Sequence, residues 1–137
     1  MIQIIAGEKG EGKTKHLIDM ANRSAKSSNG HVVYLDNDRD HIFDLHHNIR
    51  FIETSDFPVA GHKEFYGFIC GILSQDHDID YVYIDGLLKL SRLSLEEAQS
   101  FIEKLKEIAE KYNVKFIIGM NCKAKEIPEN LKEFLIA

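Results

Sequence analysis

The sequence predicts an α/β domain, a three-layer sandwich in which a five-stranded parallel sheet is covered by helices on both faces. Three observations carry this reading. Short apolar runs alternate with segments of helical periodicity along the chain. Those runs are apolar at nearly every position rather than every second one, as strands buried on both faces require. The 137 residues, 44% apolar and 28% charged, have the size and balance of one core-forming domain. No repeat, linker or low-complexity tract divides them, so residues 1–137 read as a single domain.

The elements follow in order. Residues 2–6 (IQIIA) form a first strand, and a glycine-rich turn with Gly7, Gly10 and Gly12 follows. Leu17, Ala21 and Ala25, with Ile18 beside them, mark one face of a helix that Asn29-Gly30 stops. Residues 31–35 (HVVYL) are a second strand, closed by Asp36-Asn37-Asp38, and residues 49–53 (IRFIE) a third. Residues 63–75 read as a helix weakened by Gly67 and Gly71. Residues 81–85 (YVYID) are a fourth strand. Ser94 with Glu97 three residues on makes a capping box, and Ala98, Ile102, Leu105, Ile108, Ala109 and Tyr112 form the buried stripe behind it. Residues 115–119 (KFIIG) are a fifth strand, and Pro128 opens a short final helix ending near Leu135. In such sheets ligands sit at the carboxyl ends of the strands, so the polar residues there are the functional candidates.

Composition excludes several classes. No apolar run reaches the roughly 18 residues of a membrane span. Seventeen basic against twenty-two acidic side chains, a net −5, do not support nucleic-acid binding. Cys70 and Cys122 lack C-x-x-C spacing and suit a reducing compartment, so a cytoplasmic protein is expected. The histidines at 41, 46 and 47 lie near Asp38, Asp40 and Asp44 but lack metal-site spacing.

Residues 7–14 read GEKGEGKT, the phosphate-loop pattern G-x-x-x-x-G-K-[ST]. Chance would place it in roughly one chain in 200 of this length. Here it also follows a strand and opens a helix. The glycines let successive N–H groups turn inward on an anion, and the helix N-terminus adds partial positive charge. The expected binding set is Gly7, Glu8, Lys9, Gly10, Glu11, Gly12, Lys13, Thr14 and Lys15. Lys13 would reach the β- and γ-phosphates, Lys9 would stand at the rim, and the Thr14 hydroxyl would bind Mg²⁺. Asp85, ending a mostly apolar strand after such a loop, is the second Mg²⁺ residue. Gly86 stands where many relatives of this pattern have a glutamate that orients the attacking water. Asp36 and Asp38, closing the second strand, are the substitutes, with Asp36 preferred. Lys89 and Arg92, which follow Asp85, read as solvated loop cations.

With these residues in hand, the chain resembles the ATPase core of RecA-superfamily proteins, which include recombinases, DnaB-type replicative helicases and KaiC-like ATPases. The resemblance spans residues 1–122 and is closest from Tyr81 to Asn121, where YVYIDGLLKL, a capped helix and KFIIGMN look like their Walker B strand, helix and sensor strand. It implies a strand order of 3-2-4-5-1. It also implies that Asp36 takes the place of the catalytic glutamate and Asn121 that of the polar sensor. The DNA-binding loops and inter-subunit finger of those relatives are not evident, so a second copy or a protein partner would complete the site. The absence of an N-K-x-D motif favours ATP over GTP. The expectation is Mg²⁺-dependent ATP binding with slow hydrolysis, carried by Lys13, Asp36, Asp85 and Asn121. A non-catalytic ATP-binding module and a small-molecule or nucleotide kinase are the alternatives.

Overall fold

The computed structural model describes residues 1–8, 10, 12–91 and 93–136. The strands are β1 (Ile2–Ala6), β2 (His31–Asp36), β3 (Arg50–Glu53), β4 (Ile79–Ile84) and β5 (Lys115–Met120). The helices are α1 (Lys13–Ser27), α2 (Gly61–Ser74), α3 (Leu87–Ser91) and α4 (Leu95–Tyr112). All strand pairs are parallel, in the order β1-β5-β4-β2-β3, which read from the β3 edge is 3-2-4-5-1. β5 thus lies between β1 and β4.

Side chains alternate strictly between the two faces of the sheet. Ile5, Val32, Tyr34, Tyr83 and Ile117 pack with Leu17, Ile18 and Ala21 of α1. Ile4, Val33, Leu35, Val82, Ile84, Phe116 and Ile118 face the other way, onto Phe65 and Ile69 of α2, Leu87 of α3 and Phe101, Ile102 and Leu105 of α4. Each face therefore has its own core, which is why the strand sequences carry no polar alternation.

The helices form where local chemistry and burial agree. The Ser94 hydroxyl accepts from Glu97 N–H at 3.2 Å, and the Glu97 carboxylate accepts from Ser94 N–H at 3.2 Å. This reciprocal cap contributes about 1 kcal/mol. Gly67 and Gly71 in α2 are exposed, with open space around each. Each costs about 1 kcal/mol relative to alanine. Burial of Phe65, Ile69 and Leu73 on the opposite face, about 2 kcal/mol apiece, outweighs that cost.

Several boundaries differ from expectation. β4 starts at Ile79 and ends at Ile84, so Asp85 stands one residue beyond the strand. α2 begins at Gly61, whose φ of 78° only glycine adopts readily. The stretch after Asp85, expected as a loop, contains α3, with Leu87 fully buried as its anchor. The final helix is a 3-10 segment, Glu129–Phe134, and Leu135 beyond it bridges to Ile4 on the outer edge of β1. No described helix is long and apolar enough to cross a membrane.

Candidate functional site

Three backbone hydrogen bonds extend the ladder beyond the strand ends and fix the floor of the site. Gly7 N–H donates to Met120 O at 3.1 Å, Asp85 N–H to Leu35 O at 3.0 Å and Gly86 N–H to Gly119 O at 3.1 Å. The turn after β1 and the carboxylate after β4 are therefore held by the same sheet. Between them opens a cavity of ≈370 Å³. It gathers residues from four separate parts of the chain: the described residues around the start of α1, the end of β2 with the turn after it, Asp85 with Gly86 and Lys89, and Asn121.

Two left-handed glycines precede α1, Gly10 at φ 91° and Gly12 at φ 79°. Gly12 is the N-cap and supplies no side-chain acceptor, and the first turn carries no acid. The leading N–H groups of α1 thus keep their donors for something outside the helix. α4, closed by Ser94 and Glu97, does the reverse. Lys13, Thr14 and Lys15 line the cavity with Glu8, Gly10 and Gly12, while Lys9 and Glu11 lie outside the described residues.

Asp85 is 7% exposed. Its Oδ2 accepts a hydrogen bond from the Tyr34 hydroxyl at 3.1 Å. Tyr34 is fully buried, and burial followed by the Asp85 charge drives its phenol far above its ordinary value, so it remains a donor. Ring stacking on Tyr83 and Phe51 fixes Tyr34 in turn. Asp36 also lines the cavity. Burial first, and the Asp85 charge second, push its carboxyl up to about 7. Its Oδ1 accepts from Asn37 N–H at 2.6 Å, and its carbonyl accepts from the Thr54 hydroxyl at 3.2 Å. The Asn121 amide lies over Gly86, 3.8 Å from where a side chain there would begin.

Every described residue named from sequence as catalytic or metal-binding (Lys13, Thr14, Asp36, Asp85 and Asn121) therefore reaches one cavity. Sequence reasoning missed Tyr34 and Gly119. The hydroxyl of Tyr34 inside an otherwise apolar strand was its only sequence signal. A Cβ on Gly119 would stand 2.8 Å from Leu17 Cδ1, 3.4 Å from Lys13 Cδ and 3.5 Å from Asp85 Oδ1. The missing side chain lets α1 sit close enough for the Lys13 stem to pass over β5 beside Asp85. Gly119→Ala should lower stability by roughly 1–3 kcal/mol despite alanine's lower backbone entropy cost, because Leu17 is fully buried and has nowhere to go. Thermal unfolding measures this, and an unchanged melting temperature would contradict it.

A carboxylate, a hydroxyl and a lysine at the head of an uncapped helix are the oxygen ligands and cation that fit Mg²⁺ and a polyphosphate. Elsewhere, His31, Asp76 and Asp78 place ligand atoms within 4.8 Å of one another. Asp76 Oδ2 already lies 2.7 Å from both His31 Nδ1 and Arg50 Nη1, so a guanidinium fills that position as an ion pair. The Cys122 thiol is buried and its pKa raised, first by burial, which suits a core residue rather than a nucleophile. Arg92 lies outside the described residues. No protein-family model matches this chain, and no curated protein matches it significantly.

Proposed function

We propose that the chain is a small RecA-like P-loop protein that binds ATP with Mg²⁺ and hydrolyses it slowly. The observation that carries this reading is the convergence of Lys13, Thr14, Asp85, Asp36 and Asn121 on one cavity at the carboxyl end of the sheet. Lys13 and the first-turn N–H groups of α1 would bind the β- and γ-phosphates. The Thr14 hydroxyl and the Asp85 carboxylate would hold Mg²⁺, which neutralises phosphate charge when bound. Tyr34 occupies one oxygen of Asp85 and so orients the other. Asp36 accepts a proton from the attacking water, a role for which a carboxyl titrating near neutrality is well matched. Asn121 would hydrogen-bond the transferring group.

A binding-only module is the second reading. Gly86, at φ 77°, follows Asp85 and offers no carboxylate of its own. A second copy or another protein would then supply the missing group.

Calorimetry with Mg-ATP, paired with phosphate release on the same sample, separates the two. Wild type should bind ATP only weakly once Mg²⁺ is chelated, and Asp85→Asn should lose that Mg²⁺ dependence together with turnover. Tight binding without phosphate release favours the module. No binding of ATP at millimolar concentration would overturn both.

A further inference from the structure

A second cavity, ≈390 Å³, opens beside the first. The two share Asn37 and Lys89 as a common wall. Their chemistry differs sharply. The first is rich in carboxylates. Among the described residues the second has none in its lining, and Lys89 is the one charged residue there. The rest of its wall is the Asn37 amide, the Thr54 and Ser55 hydroxyls and an apolar stretch from Phe57 to Ala60. Both hydroxyls already spend their protons, Thr54 on the Asp36 carbonyl and Ser55 on the Glu53 carboxylate. Lys89 and Asn37 are therefore the side-chain donors left for a ligand among the described residues. Lys89 forms no ion pair with any described residue.

These features select a ligand class. The volume suits one small metabolite. A lone ammonium on this wall, without an ion pair among the described residues, calls for an anion, and the apolar wall calls for an organic body. A lysine ammonium is a compact point charge with three donors and a common phosphate binder, and a ligand here would lie beside the site proposed for the γ-phosphate. Position adds a role, since Lys89 lines both cavities.

We propose that the second cavity is a substrate site for a small organic phosphate monoester, which accepts the γ-phosphoryl group of ATP bound next door. This rests on the ATP-binding reading of the first cavity. In the transfer, a phosphate oxygen of the acceptor forms a bond to Pγ. The bond from Pγ to the β,γ-bridging oxygen breaks, and its electron pair leaves with ADP. With a dianionic acceptor no proton has to move. Lys89 offsets the charge that builds up as the two phosphates approach.

The test uses the whole chain and named probes: the four ribonucleoside 5′-monophosphates, glycerol 3-phosphate and, as the comparison, inorganic phosphate. Binding is measured by calorimetry with and without Mg²⁺ and a non-hydrolysable ATP analogue, and transfer is followed with γ-labelled ATP. Wild type, Lys89→Ala and Ala60→Glu are compared, Ala60 being exposed on the cavity wall. The expected result is that at least one organic phosphate binds more tightly than inorganic phosphate and becomes labelled. Its affinity should fall at least tenfold in both variants at unchanged melting temperature. The proposal is overturned if no probe binds at millimolar concentration, if inorganic phosphate binds equally well, or if both variants bind like wild type. It is also overturned if a bound probe stays unlabelled while phosphate is released. Failure of the ATP analogue to bind, read on the same samples without any probe, would overturn the nucleotide reading itself and the acceptor role with it.

Discussion

Lys13→Ala is expected to weaken Mg-ATP binding by about a hundredfold or more while leaving the fold intact. A hydrogen bond to a charged group is worth about 1.5–3 kcal/mol, and a lysine reaching two phosphates makes at least two. Each 1.4 kcal/mol is a factor of ten in the dissociation constant. The fold should tolerate the change because Lys13 belongs to neither core cluster, and the packing of α1 rests on Leu17, Ile18 and Ala21. Calorimetry alongside thermal unfolding separates the two effects. Equal affinity in wild type and variant, at equal stability, would remove Lys13 from the site and the phosphate-loop reading with it.

Asp36→Asn should act on stability and turnover in opposite directions. The folded protein holds the Asp36 proton up to about 7, against an ordinary value of 3.8. Between those values the native state binds more protons than the unfolded chain, so stability falls as pH rises through this window. Above it the ionised carboxylate, buried beside Asp85, opposes folding. The full shift would correspond to about 4 kcal/mol, but water reaches Asp36, and screening reduces the effect to roughly 1–2 kcal/mol. The amide keeps an oxygen to accept the Asn37 N–H and carries no charge. The variant should therefore be more stable than wild type by roughly 1–2 kcal/mol near pH 8 and equal to it near pH 4. ATP turnover should fall by about 10²-fold or more, since the amide cannot take a proton. Parallel stability curves for the two proteins across this pH range would show that Asp36 is not held in its neutral form.

Most of the framework was legible in the sequence because it follows from local pattern. IQIIA, HVVYL and KFIIG are nearly all-apolar runs, and each lies within a strand. Ser94 and Glu97 are three residues apart, and the reciprocal cap forms there. The gathering of the candidate residues was legible at one remove, because parallel strands with helical crossovers bring their carboxyl ends together. What remained hidden depends on partners distant in the chain. Tyr34 meets Asp85 only because β2 and β4 pair with Tyr34 opposite Tyr83 and Leu35 opposite Ile84. Gly119 matters only because Leu17 and Lys13 of α1 pass over it. α3 is a single short helix anchored by Leu87, too brief for periodicity to reveal. The last segment winds as a 3-10 helix, a difference of hydrogen-bond register that residue spacing does not encode over so few turns.

The position of β1 in the sheet has a kinetic consequence. β1 comes first in the chain, yet its strand partner is β5, nearly the whole length of the chain away, with Ile2 opposite Phe116 and Ala6 opposite Met120. Closing so long a loop is slow, and its entropy is lost before the strand contacts compensate. The turn that follows β1 is tied to Met120, and the residue after Asp85 to Gly119, so both walls of the main cavity wait for β5 to dock. β2, β3 and β4 can pair among themselves earlier without creating the main cavity. The main cavity therefore exists only once β1 and β5 have paired, and a ligand that fits it stabilises the complete fold.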